Sequence, residues 1–295
     1  MGKMQSCITS DGLVMGIALD STDIILEAAR IHKPTPVALS ALGRLLTGVS
    51  IMGSRLKEDT ASVTVRINGG GPLGSVIAVS DSSGNVRGYT QNPGLLLMPD
   101  KNGNLDVARA VGKDGSVAVM KDFGAGQPYG AQCPLVTGEI AEDLTGYYAT
   151  SEQTPTVFAL GVHFDELWRP DIAGGLLIQL LPAADEREIE KLEKSLANLP
   201  PVTSMMQQGM TTSDILLRAL EGFEVEFFEP TEVSYKCSCS LDRVKGAIAT
   251  LSADEIQGLA DETGFAEVNC QFCDKKYRLS KDELLEISRN ARSSK

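Results

Sequence analysis

Three rhythms of apolar and polar residues follow one another along the chain. The first, over about 180 residues, is mainly that of strands. Residues 13–19 are a short apolar run of strand length, and Val63, Val65 and Ile67 alternate with Ser62, Thr64 and Arg66, which predicts a half-buried strand. Residues 73–80 and 86–91 read as strands on either side of the turn Ser82-Ser83-Gly84-Asn85, and residues 157–164 and 176–181 as two more. Asn102-Gly103-Asn104 and Lys113-Asp114-Gly115 are further turn signals. Two helices interrupt this pattern. One covers residues 24–31. The other starts at Thr35-Pro36, a cap followed by proline in the first turn, and runs to about Lys57. Its small residues (Ala38, Ser40, Ala41, Gly43, Gly48, Ser50, Gly53) predict close packing against a sheet or a second helix. The hairpin rhythm opposes a doubly wound parallel sheet. The expected fold class is α+β, with residues 1–181 forming a large N-terminal α/β domain built on a mainly antiparallel sheet.

The second rhythm begins at Pro182. Asp185 with Glu188 has the spacing of a capping box, and Ile189, Leu192, Leu196 and Leu199 make one helical stripe that Pro200-Pro201 ends. Met205, Met206 and Met210 follow, and Thr211 caps another helix through Leu220. Residues 182–229 therefore read as a helical linker. Its stripe and methionines suit either an adaptable surface for varied partners or docking on the larger domain. The third rhythm, residues 230–295, is a small module. Ser240 caps a helix carrying Leu241, Val244, Ile248 and Leu251, Ser252-x-x-Glu255 and Ser280-x-x-Glu283 are capping boxes, and Val268, Tyr277 and Leu279 belong to short strands.

Composition narrows the function classes. A chain of 295 residues that is 42% hydrophobic supports a sizeable core. The net charge of −12 comes from 27 basic and 39 acidic side chains, of which the last 66 residues hold 10 and 11. Neither part has the basic excess of a nucleic-acid binder. No apolar run approaches a membrane span and no charged-then-apolar leader opens the chain, so the expectation is a cytoplasmic protein without nucleic-acid or membrane partners. The run Gly69-Gly70-Gly71-Pro72-Leu73-Gly74 lacks the Gly-Lys-Ser/Thr ending of a phosphate loop and reads as a turn. His32 and His163, the only histidines, have no nucleophile motif to serve, so no catalytic triad is expected.

Four of the six cysteines fall between positions 237 and 273, as Cys237-x-Cys239 and Cys270-x-x-Cys273. Two such pairs around a folded insert form a tetrahedral thiolate site for one Zn2+. Cys7 and Cys133 stand alone and read as small buried hydrophobes. A module of about sixty residues is marginal by hydrophobic burial alone. Structural zinc contributes about 10–16 kcal/mol, against about 5–15 kcal/mol for the stability of a whole domain. Metal therefore decides whether such a module is folded. The same thiolates react with oxidants. Oxidation within each pair would give Cys237–Cys239 and Cys270–Cys273 disulfides, which close very small loops and constrain the chain far less than the metal bridge. A redox switch and a purely structural zinc site are both compatible with the cysteines themselves.

The C-x-C…C-x-x-C tail on an acidic chain of this length resembles the 33 kDa heat-shock protein family of redox-regulated holdase chaperones. The likeness extends to Ala41-Leu42-Gly43-Arg44, the glycine run at 69–74, Gln91-Asn92-Pro93, Val119, Lys121 and Asp122, Ser151-Glu152-Gln153, Gly174-Gly175 with Gln179, and Phe272 between the last two cysteines. The resemblance implies a non-enzymatic, ATP-independent chaperone that is inactive when reduced and zinc-bound. Cys237, Cys239, Cys270 and Cys273 would be both metal ligands and disulfide partners. Oxidation would release zinc, unfold the module and free the linker. The active form, commonly a homodimer, would hold unfolding client proteins and prevent their aggregation. Two other classes compete: a zinc-ribbon nucleic-acid-binding module, disfavoured by the charge, and a thiol-disulfide oxidoreductase, which needs a helix after C-x-x-C where residues 274–279 read as strand. A catalytic zinc hydrolase is disfavoured because four thiolates leave no position for water.

Overall fold

The computed structural model describes residues 1–101, 103–260 and 264–293, so Asn102 of the expected turn lies outside them. Its flanks do turn, with Gly103 donating to the Asp100 carbonyl and Asp100 to that of Asn104. The chain divides into two compact units, Met1–Lys236 and Cys237–Lys295.

In the first unit the elements run β1 (Gly2–Thr9), β2 (Val14–Asp20), α1 (Thr22–His32), α2 (Pro36–Gly53), β3 (Ser62–Asn68), β4 (Val76–Asp81), β5 (Val86–Thr90), α3 (Val107–Val111), β6 (Ser116–Asp122), β7 (Tyr129–Pro134) and α4 (Ile140–Tyr147). A π-helical turn (Tyr148–Glu152) leads to β8 (Thr156–Phe164) and β9 (Pro170–Leu180), then to α5 (Glu186–Ala197), α6 (Val202–Gln207), α7 (Thr212–Ala219), β10 (Val225–Phe227) and β11 (Thr231–Val233). One sheet has the order β10-β1-β2-β9-β8 with β11 also on β1, the other β5-β4-β3-β6-β7. Every strand pair is antiparallel, as the hairpin rhythm predicts.

Helix α2 packs against both sheets. Leu42, Leu45, Leu46 and Val49 are fully buried there with Ile67, Val76, Leu144 and Tyr147. Its small residues do what the sequence implies: a Cβ on Gly43 would lie 2.7 Å from Val162, and one on Gly48 2.6 Å from Leu144. The helix ends at Gly53, short of the expected Lys57, where Arg55 and Leu56 donate to carbonyls only three residues back, at Met52 and Gly53. By length and composition α2 is also the one helix among the described residues apolar enough to cross a membrane, which corrects the expectation that no segment approaches a span. Because 89% of it is buried inside the protein, it is a core helix. Strand β4 begins at Val76 rather than at 73, since Gly71 and Leu73 donate to Val111 and Ala110 and Gly74 turns with a left-handed φ of 69°.

The β2–β9 ladder separates two apolar layers. Ile17, Leu19 and Leu177 face α1 and α2, while Val14, Ala18, Leu176 and Ile178 face the opposite way, the two-residue period of a strand. Helices α5–α7 cover that second face. Leu192, Val202, Met205, Ile215 and Leu216 lie buried on it together with Cys7. The linker stripe is docked: Met205 is 1% exposed, whereas Ile189 at the rim is 37% exposed. Glycines make room for it, since a Cβ on Gly16 would lie 2.7 Å from Leu216, one on Gly161 2.8 Å from Thr203 and one on Gly174 2.5 Å from Met206. Both capping boxes form, Asp185 with Glu188 and Thr211 with Asp214.

The second unit contains α8 (Leu241–Ile248), α9 (Ala253–Gly258), β12 (Phe265–Asn269), β13 (Lys276–Ser280) and α10 (Lys281–Ser293). Its core is small: Ile248, Ile256, Ala266, Leu279, Leu284 and Ile287.

Candidate metal centre

Each cysteine pair sits at the end of a secondary element. Residues 237–240 lead into α8, where Ser240 accepts from the Arg243 backbone N–H at 3.2 Å and Ser238 from the Arg243 guanidinium at 2.6 Å. Cys270 and Cys273 occupy the loop that closes the β12–β13 hairpin. Cys270 N–H donates to Lys275 at 2.9 Å, and Asp274, with φ 58°, donates back to the Cys270 carbonyl at 2.8 Å. This tight loop turns both sulfurs to one side.

The four predicted residues converge. Cys237 and Cys270 sulfurs are 3.7 Å apart, those of Cys239 and Cys273 3.4 Å, and all four lie within 4.8 Å of one another. Sulfurs held about 2.3 Å from one tetrahedral ion sit about 3.8 Å from each other. The cluster therefore has the size and the soft donor set of a zinc or related site, and it is closed, with no fourth place left for water. All four thiols are half-buried, so small reagents reach them.

Their acidities diverge. Burial pushes the Cys237 and Cys273 thiols up. Burial also opposes ionisation of Cys239, but the Tyr277 hydroxyl, donating at 3.0 Å, and the neighbouring thiols outweigh it and bring Cys239 down to about 7. The remaining cysteines are isolated: Cys7 is buried beneath the linker helices with its thiol pushed up to about 11, and Cys133 is 6% exposed on β7.

A family model described as Hsp33 protein matches residues 2–280. The chain belongs to the Hsp33 family. It is similar to the 33 kDa chaperonin of Clostridioides difficile (strain 630), 46% identical over 281 residues that cover 95% of this chain and 96% of the relative. The 33 kDa chaperonin of Alkaliphilus metalliredigens is 41% identical over 92% of this chain and 93% of its own length. Among solved structures, the 33 kDa chaperonin (heat shock protein 33 homologue) of Thermotoga maritima superposes with a TM-score of 0.89 at 34% identity, covering 99% of both chains. One observation weighs on a competing reading of this Hsp33-family chain. Strand β13, not a helix, follows Cys273, so the residues after C-x-x-C lack the helix N-terminus that activates an oxidoreductase thiol. Tyr277, read in the sequence only as a strand residue, proves to touch the cluster. Its alternation with Leu279 was the one signal that it points inward.

Proposed function

We propose that this protein is a redox-regulated, ATP-independent holdase. One Zn2+ is held by the thiolates of Cys237, Cys239, Cys270 and Cys273 in the reduced state. The observation that carries this reading is the convergence of four half-buried sulfurs on a module whose apolar cluster, among the described residues, is small. When bound, the metal supplies a four-point cross-link that substitutes for the missing core.

The chain's own residues do the rest. A thiolate of one pair attacks a hydroperoxide oxygen, the O–O bond breaks with the other oxygen leaving as hydroxide or alkoxide that takes up a proton, and the sulfur becomes a sulfenic acid. Its neighbour displaces that oxygen as water to form a disulfide, so each pair gives two electrons to one peroxide. Proximity in the folded cluster does not favour that pairing, since its short edges, Cys237–Cys270 at 3.7 Å and Cys239–Cys273 at 3.4 Å, run between the pairs. Sequence proximity does: Cys237 stays near Cys239, and Cys270 near Cys273, even after the fold loosens. The module then lacks its cross-link and unfolds. Residues 182–229, the linker between a 1–181 core and a 230–295 switch domain, detach from β2 and β9, baring an apolar face to unfolded client proteins, with a homodimer as the active form in the cytoplasm. Binding by exposed apolar surface needs no catalytic group, which accords with a non-enzymatic role.

Light scattering of a heat-unfolding client tests this reading. The protein is added reduced and zinc-loaded, or pre-oxidised with peroxide at elevated temperature, and zinc release is assayed in the same samples. Suppression of scattering by the oxidised, zinc-free form alone is the expected result. Equal behaviour of both forms with zinc retained overturns it.

A further inference from the structure

Tyr277 approaches the cluster from β13. Its ring is 7% exposed, its backbone is fixed opposite Val268, and its hydroxyl donates to Cys239 Sγ at 3.0 Å. The neighbouring side chains Lys276 and Arg278 point elsewhere, to Glu267 at 2.9 Å and over the Phe265 ring at 4.0 Å. Tyr277 is thus the side chain that reaches a sulfur of the cluster from this strand, and the chemistry of that bond is specific. A sulfur lone pair engaged by an O–H is both fixed in direction and depleted of electron density. Fixing it favours the four-sulfur geometry, as donors around metal ligands generally do. Depleting it makes that sulfur a poorer nucleophile toward peroxide or an alkylating agent.

We propose that Tyr277 is a positioning residue that holds Cys239 in the thiolate cluster and sets how readily the cluster opens to an oxidant. This rests on the zinc-thiolate reading above and adds a residue to it. Oxidation in the intact protein then starts at a sulfur other than Cys239. A hydroperoxide oxygen accepts that sulfur's electron pair, the O–O bond breaks and hydroxide leaves to become water. Its sequence neighbour then displaces the sulfenic oxygen, as a second water, to close the disulfide. The Tyr277 hydroxyl keeps its own proton throughout.

The test uses the full-length, zinc-loaded protein and Tyr277→Phe, which keeps the ring and the strand but removes the donor, with Arg278→Gln as a control on the same strand. Each is exposed to a fixed peroxide concentration while zinc release is followed with a colorimetric chelator. In parallel, each is pulsed with iodoacetamide and the modified cysteines are located by mass spectrometry. The expected result for Tyr277→Phe is zinc release about tenfold faster and alkylation accelerated selectively at Cys239, with Arg278→Gln matching the wild type. Rates unchanged in Tyr277→Phe overturn the proposal. So does acceleration at all four cysteines alike, which marks a folding defect. Retention of zinc by the oxidised wild type would sink the switch itself, yet selective labelling of Cys239 would still report the hydrogen bond.

Discussion

The two units of this chain solve the same problem by different means. The first buries an apolar layer on each face of the β2–β9 ladder, and its largest buried side chains, among them Leu42, Leu45, Leu46, Ile51 and Tyr147, are almost fully removed from water. Each such side chain contributes about 1.5–3 kcal/mol. Polar groups are paired beside that core at Glu152, which accepts from Lys121 at 2.7 Å and from the Tyr147 hydroxyl. The second unit packs a cluster of six buried apolar residues among those described and gathers four sulfurs. The contrast teaches that stability placed in packing is spread over many residues and changes little with conditions. Stability placed in four thiolates can be withdrawn at a stroke.

The sharpest way to break the comparison is Cys270→Ser. On the proposed four-sulfur ligation, removing one ligand takes away most of the metal's contribution, which exceeds the net ~3–5 kcal/mol that so small a core supplies. Hydrogen exchange should become fast across 237–293 without any oxidant, while β2, β9 and α2 remain protected. Stoichiometric tight zinc in that variant would disprove four-sulfur ligation. A second, smaller effect belongs to the docked linker. Met205→Ala leaves a cavity on the sheet face and should cost about 2–5 kcal/mol of docking. Exchange in 186–219 should speed up in the reduced, zinc-loaded protein, and if it does not, the linker is held by something other than that face.

A third effect is confined to the first unit. Burial opposes ionisation of Glu152, but the Lys121 ammonium and the Tyr147 hydroxyl outweigh it and hold the carboxyl below its usual range. A depressed folded-state value stabilises above the unfolded value of about 4.3 and is lost as pH falls through the folded value. Glu152→Gln should therefore cost about 1.5–3 kcal/mol at neutral pH, and its denaturation midpoint should converge with that of the wild type in acid. A gap that persists at low pH would assign the loss to packing instead.

How much of this was legible depends on the distance over which each feature is decided. The capping boxes at Asp185, Ser252 and Ser280 are settled within four residues, and all three form. The cysteine cluster was legible because metal geometry constrains spacing as well as residue type. Strands β10 and β11 were not. Each is three residues long and exists because it pairs with β1, more than 200 residues away, as Cys7↔Phe227 and Gly2↔Val233 show. Strand β1 itself lacks clean alternation, since Gln5 is buried and spends its amide on the Phe228 carbonyl at 2.6 Å. The start of β4 was misplaced for a related reason: Leu73 donates to the distant Ala110 carbonyl, a contact that overrode the local pattern.

The smallest effect sharpens the comparison most, because the same local device occurs in both units. Ser252 and Glu255 cap α9, with Ser252 N–H donating to the carboxylate at 2.8 Å and Glu255 N–H to the Ser252 hydroxyl at 3.3 Å. Thr211 and Asp214 cap α7 in the same way, at 2.8 and 3.2 Å. Replacing either Ser252 or Thr211 by alanine should cost about 1 kcal/mol of helix stability. In the first unit that loss is absorbed by Ile215 and Leu216, fully buried on the sheet. In the second, α9 is anchored by Ile256 alone among its described buried side chains, and under the proposed zinc site folding and metal binding are one equilibrium. Ser252→Ala should therefore shift the chelator concentration that strips zinc about fivefold downward, the equivalent of that 1 kcal/mol, while Thr211→Ala leaves it unchanged. Equal shifts in both variants would mean that metal affinity and module folding are not one equilibrium, and the division of labour between the two units would fail with it.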